Sequence, residues 1–297
     1  MTRRSVPGTR GTMATASHAG RAWWTLCAPL LLWALPELIR LAGAARRRRR
    51  MHALLRVWAT LAGLGLGIRL RVSGLRNARA GPFVVLALHE GMADAVVLLS
   101  SLPLDLRFAA RDELLGWPHV GRYLRDTRQL IAATHPSVGA GTRFLAAARN
   151  AVSRGESVVV FAQGSILGLE VALELGAAHL ASRLGIPILP VMISGTHRVW
   201  EHPYGPTLRF GQSVRLTVLP PIPAPGRSRS EILDVTRRVS HELKTMAPRG
   251  GSAPVRRFDP TRDGWWDGYR YRVDPAFPAL AARVAAHRAS IAIRQAP

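Results

Sequence analysis

PFVVLALHEGMADAVVLL, residues 82–99, joins two apolar runs across a short polar break. Phe83 to Leu88 carries no polar residue, the pattern of a strand covered on both faces. Ala93 to Ser101 reads as the start of a helix. A buried strand that turns at once into a helix is half of a parallel β-α unit, so this stretch predicts an α/β fold. The break places His89 at the strand exit and Asp94 in the first helical turn, five residues apart. Buried polar groups cost several kcal/mol unless they are hydrogen-bonded. At this spacing Asp94 can accept from one ring nitrogen of His89 while the other nitrogen faces a cleft, the logic of a His–Asp dyad. No other His in the chain has an Asp five residues on. The same pair also reads as a helix N-terminal Asp beside a hydrogen-bonded strand-end His.

Working outward, the alternation continues. Strands are predicted at Leu106–Ala110, Arg128–Ala133, Ser157–Ala162, Ile186–Ser194 and Ser213–Leu219. Helical spacing covers Glu113–Asp126, Val138–Ser153, Leu169–Leu184 and Ser230–Met246, with a last short helix near Ala279–Ile293. Polar breaks follow the first, fourth and fifth of these strands: HEGMAD, FAQGS and SGTHR. Ligand sites in such sheets gather outside the carboxyl ends of strands. The whole reads as a largely parallel sheet flanked by helices, with His89 at its ligand-binding end.

Composition sets bounds on partners. The 297 residues are 48% hydrophobic and 20% charged, a globular balance, and carry a net charge of +23. Such a surface favours anionic partners, whether a membrane, a nucleic acid or a phosphorylated substrate. Lys244 is the one lysine among 41 basic residues, an arginine bias that suggests a GC-rich bacterial genome and attributes part of the charge to codon drift. The arginines are scattered and their longest run flanks apolar segments, which argues against a specific nucleic-acid interface. Cys27 is the only cysteine, so an internal disulfide and a Cys-based zinc site are both excluded. No metal site is expected.

Four regions follow from these patterns: a disordered basic tail at 1–20, a helical hairpin at 21–71, the α/β domain at 72–247, and a Pro/Arg/aromatic C-terminal extension at 248–297. The hairpin rests on two short apolar stretches, Ala22–Pro36 and Val57–Ile68, joined through Arg46–Arg50. Both fall short of the ~20 apolar residues of a membrane span. Together they predict a pair of helices lying in an anionic, cytoplasmic membrane interface. An amphipathic helix pair capping the core is the alternative.

HEGMAD resembles the H-x-x-x-x-D motif of the glycerolipid acyltransferases, the lysophosphatidic acid acyltransferase family. Three further blocks follow in the family's order: FAARDELLGWPHVGRYL (108–124), SVVVFAQGSILG (157–168) and IPILPVMISGT (186–196). The resemblance spans residues 72–220 and implies a glycerolipid acyltransferase-like fold docked on a bilayer through an N-terminal helical pair. It implies transfer of an acyl group from acyl-CoA or acyl carrier protein, as co-substrate, to a lipid hydroxyl at the cytoplasmic face of a bacterial membrane, with no bound cofactor. His89 is then the general base and Asp94 its orienting partner. Arg111, Gln163, Gly164 and Ser165 are the expected substrate-binding residues, with backbone N–H groups near Gly164 or the helix start facing the oxyanion. The chain departs from the pattern where Gln163 replaces the family's Glu, Ile166 replaces an Arg, and Ala132-Ala133 stand where a second Arg is usual. Those losses predict an acceptor other than lysophosphatidate. A catalytically silent lipid-binding relative is the alternative function.

Overall fold

A computed structural model describes residues 48–116, 120–135, 137–201, 208–247, 251–260, 263 and 271–295. The first hairpin arm, Trp23-Trp24, Cys27, Pro118 and Trp265-Trp266 lie outside these residues.

Seven strands form one sheet: β1 (Arg69–Ser73), β2 (Val84–Ala87), β3 (Leu106–Arg111), β4 (Leu130–Ala132), β5 (Ser157–Phe161), β6 (Ile188–Ser194) and β7 (Ser213–Val218). Their spatial order is β1-β7-β6-β2-β5-β3-β4. Pairing is parallel throughout except between β6 and β7, so β7 and β1 run against the other five. The largely parallel α/β architecture is therefore as expected. The central strands VVLA and ILPVMIS are buried at every position, as strands covered on both faces must be. Toward the edge, SVRLTV alternates buried and more exposed positions because only one of its faces is covered.

Eight α-helices are described: α1 (Arg48–Gly65), α2 (Asp94–Ser101), α3 (Val120–Asp126), α4 (Val138–Val152), α5 (Gly176–Leu184), α6 (Thr196–Val199), α7 (Arg229–Thr245) and α8 (Pro278–Gln295). Helices α1 and α2 pack on one face of the sheet through Leu55, Ala59, Val97 and Leu98 against Val85, Ala87, Val191 and Ile193. Helices α4, α5 and α7 cover the other face through Ala148, Ala178, Ile232 and Val239 against Val84, Leu86 and Met192. Side-chain caps mark two starts: Ser137 accepts from Ala140 N–H, and Ser228 forms a capping box with Glu231.

Three expectations need correcting. Val57–Ile68 does not lie free of the domain. Its helix, α1, begins in the arginine run and buries Met51, Leu55, Ala59 and Ala62 in the core, while Val57, Leu61 and Leu64 stay exposed on the outer side. A buried network fixes it there: Glu156, just before β5, takes hydrogen bonds from His52 of α1 (2.7 Å) and Arg107 of β3 (2.8 Å). Among the described residues no helix is long and apolar enough to cross a membrane.

The continuous helix expected over Glu113–Asp126 is instead a 3-10 turn at Asp112–Gly116 and, beyond residues outside the described set, the short α3. The helix expected from Leu169 starts only at Gly176. Residues 163–175 are held in loop conformation by the C-terminal extension. Leu169 N–H donates to Arg256 O, Ala172 N–H donates to Arg272 O, and Val171 forms an antiparallel bridge with Val273. These bonds satisfy backbone groups of the segment from outside it, so its helical periodicity is overridden by tertiary pairing. Strand β1 had no counterpart among the expected elements and takes Arg69, Leu70 and Arg71 from the region assigned to the hairpin.

Candidate active site

β2 ends on Ala87, and the two following residues carry the chain out of the sheet to His89. Its Nδ1 lies 2.7 Å from Asp94 Oδ2. The imidazole stacks flat on Phe161 at the end of β5, with centroids 3.9 Å apart and planes 10° from parallel. One nitrogen is thus engaged, the ring plane is fixed, and Nε2 has no hydrogen-bond partner among the described residues. The His89 side chain keeps 19% of its surface accessible, while Asp94 has none. Both residues therefore meet as the spacing predicts.

Asp94 does more than hold the imidazole. Its Oδ2 also accepts from the N–H groups of Glu90 (2.8 Å) and Gly91 (3.1 Å). Its Oδ1 accepts from the Thr196 hydroxyl at the start of α6. Four donors thus satisfy this fully buried carboxylate. The helix α2 has no side-chain cap of its own; its first residue folds back to tie the preceding loop.

Glu90 was not singled out from the sequence, and it joins three segments. Its Oε2 accepts from Gly195 N–H (2.9 Å) and faces His197 Nδ1 (3.3 Å), while Oε1 accepts from Arg256 N–H (2.9 Å). Burial pushes this carboxyl above its ordinary range, with His197 and the Arg256 N–H pulling it back. A buried Glu next to a strand-end His was the available signal, but its partners lie more than 100 residues away in sequence.

The remaining expected residues divide. Gln163 is buried beneath the site: its Oε1 accepts from His89 N–H at 3.4 Å, and its Nε2 donates to Gly168 O at 2.7 Å. The amide thus holds the 163–171 loop to the base of His89. Gly164 adopts a left-handed backbone (φ 70°), and its own N–H is already donated to Phe161 O. Ser165 is buried, and its hydroxyl has no partner among the described residues. Arg111, at the end of β3, pairs with Glu113 at 3.2 Å on the surface and is not brought to the dyad. Ile166 is buried, at 4% exposure. Among the described residues no cluster of His, Cys, Asp or Glu has the makings of a metal site.

The C-terminal extension closes the far side of the loop. Gly168 lies so close to it that a Cβ there would come within 2.0 Å of Phe258 N. Glu170 accepts from Phe258 N–H and pairs with Arg257, both at 2.9 Å, and a buried Arg256–Asp263 pair anchors the extension itself.

Comparison with known proteins gives a consistent picture. Residues 69–194 match the family described as Acyltransferase. A 1-acyl-sn-glycerol-3-phosphate acyltransferase of Cocos nucifera is 26% identical over 141 residues, covering 46% of this chain and 44% of that protein. An enzyme of the same name from Saccharomyces cerevisiae is 24% identical over 197 residues, covering 65% and 64%. The chain thus spans about half to two thirds of the length of these curated relatives. The crystal structure of a 1-acyl-sn-glycerophosphate acyltransferase from Thermotoga maritima shares the fold, with a TM-score of 0.61, 18% identity, and coverage of 80% of this chain and 99% of that one.

Proposed function

From the match of residues 69–194 to the family described as Acyltransferase, we propose that the protein transfers an acyl group from a thioester donor to a lipid hydroxyl. The observation that carries this reading is the His89–Asp94 contact of 2.7 Å at the exit of the central strand. In the reaction, Nε2 of His89 takes the acceptor hydroxyl proton as the oxygen attacks the thioester carbonyl. Asp94 stabilises the imidazolium that forms. Collapse of the tetrahedral intermediate expels the thiolate, and the same imidazolium returns the proton to it. The buried Ser165 hydroxyl, free of protein partners among the described residues, is the donor we assign to the oxyanion or to the acceptor. Acyl-CoA and acyl carrier protein are both competent donors in this scheme.

The relatives' names specify 1-acyl-sn-glycerol-3-phosphate as acceptor. Here Ile166 and Ala133 stand where a phosphate clamp would need cations, and Arg111 is paired with Glu113. This supports an acceptor whose hydroxyl is not flanked by a phosphate. Attachment to an anionic membrane surface, on the cytoplasmic side, is supported by the exposed Val57, Leu61 and Leu64 of α1 and by the arginine run ahead of it.

The test is thiol release by the purified full chain supplied with an acyl thioester and, in parallel, lysophosphatidate or a monoacylglycerol. We expect turnover favouring the unphosphorylated acceptor, and a fall of about 10² to 10⁴ in His89→Ala. A strong preference for lysophosphatidate would refute the acceptor assignment. Lipid binding without any thiol release would favour the catalytically silent alternative.

A further inference from the structure

Strand register puts two like charges directly opposite each other at the sheet edge. Arg71 of β1 is the partner of Arg215 of β7, and Arg69, two residues earlier on the same face, is the partner of Ser213. Like charges facing across strands destabilise a sheet. Among the described residues no carboxylate pairs with any of the three, whereas the buried Arg107 and Arg256 each have one. Arg69, Leu70, Arg71, Ser213 and Ser252 line an open groove of about 410 Å³. Both hydroxyls and both guanidinium groups there are donors, the complement of an oxyanion.

The groove sits at the catalytic end of the molecule. Because β7 runs against β6, Ser194 at the end of β6 is opposite Arg215. Ser213 O comes so close to Gly195 that a Cβ on Gly195 would lie 2.4 Å away, and Gly195 N–H is the group held by Glu90, beside His89. The order β1-β7-β6-β2 separates Arg71 from the strand that carries His89 by three strand spacings, or about 14 Å at ~4.8 Å each. The groove opens on the face away from Leu216 and Val214, so it neighbours the dyad without being part of it.

We infer that this groove is a phosphate-binding site, serving a phosphorylated ligand at the catalytic end of the sheet. Arg69, Arg71 and two serines line the groove, and Arg215 faces Arg71 across the strands; a di- or monophosphate bound there would turn the repulsion between the arginines into attraction. Two ligand sources share this chemistry: the diphosphate of a nucleotide-bearing acyl donor and the headgroup of a membrane lipid. The site requires only the fold and the register for binding. Its donor form rests in addition on the acyl-transfer reading above.

Calorimetric titration of the full chain with inorganic pyrophosphate, alone and against coenzyme A or vesicles containing phosphatidate, tests the site. Pyrophosphate should bind, more weakly at high salt, and Arg71→Gln and Arg69→Gln should each weaken it about tenfold. In the absence of ligand, Arg71→Gln should leave the melting temperature unchanged or raise it, since a repulsion is removed. Competition by coenzyme A assigns the site to the donor, and competition by the vesicles alone assigns it to the lipid headgroup. Lack of pyrophosphate binding, equal binding by the variants, or a melting temperature lowered by Arg71→Gln would overturn the inference. None of these readouts depends on turnover, so a failure of the acyl-transfer reading is distinguishable from a failure of the site.

Discussion

Replacing Asp94 with Asn removes one charge while keeping the shape, and the structure dictates how the amide must sit. Oδ2 of Asp94 faces three donors, His89 Nδ1–H and the N–H groups of Glu90 and Gly91. An NH₂ group in that place would oppose two immovable backbone N–H groups. The Asn oxygen therefore takes the Oδ2 position, and its NH₂ faces the Thr196 hydroxyl, which can accept as well as donate. His89 keeps its hydrogen bond and its tautomer; the lost element is the charge that stabilises the imidazolium. Charge-assisted hydrogen bonds contribute about 1.5–3 kcal/mol, which corresponds to a rate loss of about 10- to 150-fold. That is far smaller than the ~10⁴-fold loss found in a serine protease when the equivalent amide leaves its His in the wrong tautomer. The fold should survive, at a stability cost of about 1–3 kcal/mol. Single-turnover thiol release at saturating donor, with thermal melting alongside, measures both. A kcat within threefold of wild type would remove Asp94 from the mechanism. A loss of about 10⁴ with the melting curve intact would show that the amide had turned and that the backbone donors do not govern it.

Other perturbations reach the supports of the site. Burial by itself would raise the Glu156 carboxyl, but the hydrogen bonds from His52 and Arg107 outweigh it and hold the group at about 2, below its ordinary 4.5. Its contribution to stability is thus fully present above about pH 4.5 and lost as pH falls toward about 2. Glu156→Gln should lower stability by about 3 kcal/mol near neutrality, since it strands Arg107, and should flatten the acid limb of denaturation between those pH values; an unchanged limb in urea titrations would refute the assignment. Gly168→Ala drives a Cβ to within 2.0 Å of Phe258 N, a backbone atom. It should cost about 1–3 kcal/mol and speed tryptic cleavage at Arg257 of the extension; wild-type protease resistance would show that the loop and extension are not clamped as described.

The dyad was legible in the sequence because every part of it is local. An apolar run makes β2, the break ends it, and five residues bring His89 to Asp94, with Phe161 and Thr196 added only by the fold. The interior strands were legible for a related reason: burial on both faces demands unbroken apolar runs such as ILPVMIS, which few other structures tolerate. Strand β1 was not, since RLRVS is short, mostly exposed and highly charged, and becomes a strand only by pairing with residues about 144 positions later. Sequence distance also hid that the segment at 169–175 is no helix, because its hydrogen-bond partners, Arg256 and Arg272, come from the C-terminal extension. Glu90 reads as a polar residue of undefined purpose, and Gln163 as a substrate-binding residue, until folding brings Gly195 and Arg256 to the one and Gly168 to the other. Likewise the outer and inner sides of α1 could not be told apart from composition, since Val57 and Leu61 are as apolar as Leu55. Local chemistry writes itself into adjacent residues, whereas a contact between segments a hundred residues apart leaves no spacing to read; it exists only once burial of the apolar faces has chosen which segments meet.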